Sequence, residues 1–212
     1  MICERGGRKR NPPSRKFVAN RGNTEGSPFS LEPTLSGTTM TDREALRRAL
    51  NSAVTLQRVD QYQGKLADLK RQFGHSIEIL EPAGNYNCFA YAFGLADHPD
   101  FEALVLKTGK TAVMNSAFAA AELARADIIE MTQREAQPND IVAYFSEDVL
   151  KHAGKIFSVS AAPILRSKWG PGELHAHGLE EVPWSYGERI RFFQSPDPKP
   201  VLDRLYAAEG VA

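Results

Sequence analysis

Cys88 lies in the run GNYNCFAYAFGL. Asn85 and Asn87 are good helix N-caps, because a short side-chain oxygen accepts from the unpaired N–H groups of a first turn. Phe89, Ala90, Ala92 and Phe93 supply an apolar face, and Gly94 stops the helix. The pattern predicts a short buried helix with the sulfur in its first turn. There the positive end of the helix dipole favours the thiolate, which is the nucleophilic form. A lone cysteine is more often a small buried hydrophobe, and that reading stands beside the nucleophilic one.

A thiol nucleophile needs a base that titrates near neutrality, and histidine is the side chain that does. The stretch QPNDIVAYFSEDVLKHAGKIFS reads as a turn, a strand, an exposed loop and a second strand opening with His152. The small residues Ala153 and Gly154 leave room for a substrate and for a helix carrying a nucleophile. Without that context His152 could equally be a histidine at a strand end on the surface.

The elements around these two residues read as follows. TDRE at Thr41 is a capping box. Apolar residues then recur from Leu46 to Phe73, mostly three or four apart, up to Gly74. That spacing predicts one long amphipathic helix or two shorter ones, with Gly64 as a possible kink, acting as a scaffold or docking arm. A short strand is expected at 76–80, an Ala-rich helix capped by Asn115 or Ser116, and strands at 128–132, 140–145, 152–158, 163–167 and 189–193. Strands following helices favour an antiparallel sheet covered on one side. The predicted divisions are 1–40 as a disordered basic tail, 41–74 as the helical segment, 75–195 as the catalytic domain and 196–212 as a Pro-broken C-terminal tail with at most a short final helix.

Four motifs in order carry a family resemblance: NCFAYAFG, NDIVAYF, HAGKIFS and the later SKWGPGELHAHGLEEVPWSYG. Together they resemble the papain-like cysteine hydrolases of bacteria, the CHAP- and NlpC-type amidases and endopeptidases, in a less characterised branch. The resemblance covers about residues 76–194. It implies an α+β, papain-like fold with an antiparallel sheet packed on a Cys-bearing helix. It also implies Cys88 as nucleophile, His152 as general base, and cleavage of an amide or peptide bond. Peptide or peptidoglycan-like chains are the implied substrates. A transamidase or deamidase acting on protein glutamine, and an inactive interaction module, are the alternatives. Asn139 stands where the family has Gly, which is tolerable because Asn also enters turns with positive φ. The third member of a triad is open between His177 and Ser167. Lys168 beside them would disfavour an imidazolium. The backbone N–H of Cys88 would open an oxyanion hole, with Asn85 or Asn87 as a second donor. Trp169 and Trp184 could line a substrate groove.

Composition sets the limits. The chain has 212 residues, with 26 Lys+Arg against 26 Asp+Glu. Residues 1–40 hold seven of those basic residues against three acids, which leaves the remainder mildly acidic. Cys3 and Cys88 are the two cysteines, too few for a disulfide scaffold or a four-cysteine zinc site. His175-Ala-His177 would need Glu173 and a distant ligand to hold zinc, so no metal and no cofactor are expected. His75 after a helix end and His98 before Pro99 read as surface residues. No apolar run is long enough to span a bilayer, so membrane insertion is not expected. Nucleic acid is not an expected partner either. MICERGGRKR lacks the apolar core of a signal peptide, which predicts a cytoplasmic protein or one exported by a signal-peptide-independent route.

Overall fold

A computed structural model describes residues 40–211 except 57, 83, 111, 170 and 171. The basic segment 1–39 lies outside the described residues. The amphipathic segment forms two helices, α1 (Met40–Ala53) and α2 (Val59–Phe73). The chain passes through Gly64 inside α2, and Gly74 ends that helix at φ 68°. Strand β1 (Glu78–Glu81) follows, then α3 (Cys88–Ala92), α4 (Pro99–Thr108) and α5 (Ser116–Leu123). Six more strands come next, interrupted by a 3-10 turn at Trp184–Tyr186. They are β2 (Glu130–Met131), β3 (Ile141–Ser146), β4 (Val149–Ser158), β5 (Ile164–Lys168), β6 (Leu174–Gly178) and β7 (Arg189–Phe193). Helix α6 (Pro198–Ala208) closes the chain.

The protein is α+β, with one seven-stranded antiparallel sheet in the order β1-β6-β5-β4-β3-β7-β2. Side chains alternate across a strand, so each strand feeds both faces. On one face, Ile141, Ala143, Phe145, Leu150 and Ala153 pack with Cys88, Phe89 and residues of α4, α5 and α6. On the other, Val142, Tyr144, Ile156 and Leu165 pack with Val182 and Phe192. Helices α1 and α2 lay Leu46, Leu50, Tyr62, Leu66 and Leu69 over Ile77 and Trp169. The sheet is therefore covered on both faces, not on one. The apolar side of the expected docking arm is used within the domain.

Two other readings change. Residues 198–208, expected as a tail with at most a short final helix, form an 11-residue helix whose Val201, Leu202 and Leu205 are buried in the core. Pro198 and Pro200 sit in its first turn, where a missing N–H costs nothing. Arg204 Nε reaches the buried Glu122 at 2.8 Å and ties α6 to α5. His75 is buried rather than on the surface, with Nε2 3.0 Å from the Leu66 carbonyl and Nδ1 accepting from Ile77 N–H. His98 is the N-cap of α4. Among the described residues no helix is long and apolar enough to cross a membrane.

Candidate functional site

Cys88 opens α3 as its cap dictates. Asn87 Oδ1 accepts from Phe89 N–H at 3.1 Å and Ala90 N–H at 3.0 Å. Asn87 Nδ2 donates to the Met114 carbonyl at 2.6 Å. Both ends of that amide are thus committed to holding the helix, and Asn87 is no second oxyanion donor. Asn85 is exposed ahead of it. Gly94, at φ 73°, turns the chain out of the short helix. The sulfur is buried, and burial pushes its thiol up to about 11. The backbone N–H groups of Ala153, Phe89 and Cys88 itself pull the other way, towards the thiolate.

His152 is placed differently from the expectation. Ala153, which faces Cys88, pairs with Ala143, and His152 pairs with Tyr144. Alternation turns the histidine to the opposite face. Its ring stacks on Tyr186, with centroids 4.0 Å apart, and lies 5.7 Å from that of Tyr144. Nε2 is buried without a hydrogen-bond partner, so it makes no bond to the sulfur. Burial, then His177 and His175, lower the His152 pKa well below its ordinary value. The expected Cys88–His152 pair is therefore not engaged in this conformation. The cause is local: β4 carries a bulge between Leu150 and His152, with Lys151 as the extra residue.

The room expected beside Ala153 and Gly154 is filled. A Cβ on Gly154 would stand 2.7 Å from the Arg166 carbonyl and 2.8 Å from Ser167 Cβ, so the glycine admits β5 rather than a substrate. Asn139 does take the positive-φ turn, at φ 77°. It lets Asp140 accept from Gln137 N–H and Ser195 N–H, which fixes the start of β3.

Ser167 and His177 do meet, on the face that His152 occupies. Ser167 Oγ and His177 Nε2 are 2.7 Å apart. His177 Nδ1 lies 2.8 Å from the Gly178 carbonyl, which can only accept, so Nδ1 carries the proton. Nε2 then accepts from the Ser167 hydroxyl, whose oxygen accepts from Trp169 Nε1–H at 2.9 Å. Neither Ser167 nor His177 bonds to His152. Trp169 is buried and stacked on His175 at 4.3 Å, so its ring is closed off from solvent. Trp184 is half-buried under Arg47 and Arg48. Tyr62 of α2, which the sequence offers as a helix-face residue, closes the cluster with its hydroxyl 2.6 Å from His175 Nε2. Tyr186 is the other member that sequence reasoning misses. Burial lowers His177 to about 4 and His175 to about 3, so all three histidines are neutral at pH 7. Among the described residues no group of three or more His, Cys, Asp or Glu could hold a metal ion.

The face of α3 carries a second group of residues that was not foreseen: Lys155, Arg166 and Lys168 beside Tyr86 and Tyr91. Alternate basic residues on two adjacent strands were the available signal.

An α+β domain with a capped cysteine helix against an antiparallel sheet is what the fold and the site define. A family model described as "Domain of unknown function (DUF7689)" matches residues 78–194, more than half of the chain, and the chain belongs to that family. No curated protein matches it, and no solved structure does. The match spans β1 to β7 and leaves out α1, α2 and α6.

Proposed function

We propose that the chain is a papain-like cysteine hydrolase that cleaves an amide or peptide bond with Cys88 as nucleophile. The supporting observation is the place of the sulfur, on the first residue of a helix capped by Asn87, where the helix N-terminus favours a thiolate. Donors that stabilise a thiolate can also stabilise the oxyanion that forms when it attacks a carbonyl. The described conformation is a resting form, with a neutral thiol and His152 turned to Tyr186.

The bulge in β4 supplies the route to an engaged form. Moving the extra residue from Lys151 to His152 releases the histidine from Tyr144, because a one-residue slip re-aims a side chain. In the engaged form His152 takes the thiol proton, sulfur attacks the carbonyl, and the amine leaves with that proton. Water then cleaves the thioester and restores the thiol. Peptide or peptidoglycan-like chains are the substrate class that the motif resemblance favours.

The test is turnover of fluorogenic peptide amides by the full chain. Hydrolysis that is lost in both Cys88→Ser and His152→Ala supports the reading. Hydrolysis that survives Cys88→Ser removes it. An added amine donor separates transamidase from hydrolase through the product it captures. The second reading, an inactive interaction module, is favoured by His152 standing on the face opposite Cys88. It predicts no turnover and no acyl-enzyme.

A further inference from the structure

Lys155 of β4 and Arg166 of β5 are direct cross-strand partners, and Lys168 lies two residues beyond Arg166 on the same face. Like charges set directly opposite repel, so this arrangement destabilises the sheet unless something offsets it. None of the three is in an ion pair among the described residues. Lys168 is fully buried and donates to the Gly84 carbonyl at 2.8 Å, with its ammonium 4.3 Å above the Tyr86 ring. Lys155 Nζ stands 5.9 Å from the centroid of Tyr91, and Tyr91 stacks on Tyr86 at 6.2 Å. The Arg166 guanidinium lies over Phe157, and its Nε is buried with no partner. Glu81, Asp97 and Glu173 are within electrostatic reach of the two lysines, but none bonds to them. Cys88 belongs to the same face through Ala153, two residues before Lys155.

We propose that Lys155, Arg166 and Lys168 form a carboxylate subsite beside α3, with Tyr86 and Tyr91 as its aromatic wall. A guanidinium fork and two ammoniums match the paired oxygens of a carboxylate, and burial strengthens each bond. The subsite's role, selecting an acidic side chain next to the bond that Cys88 attacks, rests on the hydrolase reading; its binding does not. The desolvation of Lys155 and Lys168, which lowers both pKa values, is offset when an anion arrives.

The test is calorimetric titration of the full chain carrying Cys88→Ala, with N-acetylglutamate α-methylamide as probe and the glutamine counterpart as control. Saturable binding of the glutamate probe is expected, at least tenfold tighter than the glutamine probe and at least tenfold weaker in Arg166→Gln. Lys155→Gln repeats the test if Arg166→Gln does not fold. Equal binding of the two probes overturns the subsite, as does unchanged affinity in a folded variant. Inorganic phosphate binding more tightly than the glutamate probe overturns the carboxylate assignment. Binding without turnover in the wild type removes the hydrolase reading alone, and turnover without binding removes the subsite alone.

Discussion

The His152 ring lies on the Tyr186 ring with centroids 4.0 Å apart and planes within 13° of parallel. That stack holds the histidine on the face of α1 and α2, while its neighbour Ala153 packs against Cys88 on the other face. Histidine and thiol are thus separated by one residue of strand alternation rather than by distance along the chain. In the proposed hydrolase this separation is the resting state, and it sets the reactivity expected of Cys88.

Alkylation of Cys88 should be slow at neutral pH. Burial raises its thiol to about 11, and only the thiolate reacts. Against an ordinary thiol of pKa about 8.5, the labelling rate at pH 7.5 should be lower by about two orders of magnitude. It should rise with pH up to about 11. Iodoacetamide labelling of a Cys3→Ser chain, followed by intact mass between pH 6 and 10, checks this. Fast labelling at pH 7 would mean that the engaged form dominates in solution.

Stability should fall on acidification. His177 titrates near 4 in the folded protein and His175 near 3, against about 6.5 unfolded. The unfolded chain therefore binds more protons below pH 6.5. The stabilisation is complete above that pH and is lost as pH falls through 6.5 towards 4. His177 alone accounts for roughly 3 kcal/mol at pH 4. Urea midpoints measured from pH 7.5 to 4.5 should decline steadily, and His177→Asn should flatten the decline. A midpoint independent of pH contradicts the buried neutral cluster.

Gly154→Ala should destabilise the domain by about 2 kcal/mol or more, because its methyl would meet the Arg166 carbonyl and Ser167 Cβ. Gly64→Ala has open space around it and lies in a helix interior, so it should stabilise slightly. Thermal melts of the two variants give opposite signs. A neutral Gly154→Ala would show that β4 and β5 stand further apart.

Asn87→Ala removes the cap of α3 and the bond to Met114 together. It should cost about 1–2 kcal/mol in denaturant unfolding. It should also change Cys88 alkylation, since the cap sets where the sulfur lies. Loss of stability with no change in labelling would separate the cap from the site.

The cysteine helix was legible because its signals are local: Asn87 caps it and Gly94 ends it, seven residues apart. Most strands were legible by their apolar content. Helix α4 was missed because His98-Pro99 reads as a loop, although Pro at a first helical position fits and His98 Nδ1 caps the turn. Strand β6 was missed because LHAHG reads as chemistry rather than as a strand. The side that His152 faces was not legible at all. It depends on where β4 places its extra residue against β3, a pairing of two strands that no single run of residues reveals. The lysines and arginine beside α3 were hidden for the same reason, since they meet only across β4 and β5.

Cys88 as the nucleophile is tested most directly by the intact mass of the Cys3→Ser chain after mixing with a peptidyl p-nitrophenyl ester at pH 7.5. The expected result is one acyl group, mapped to Cys88, with its formation slowed at least 100-fold in His152→Ala. No adduct on Cys88, or an adduct forming at the same rate without His152, contradicts the catalytic role.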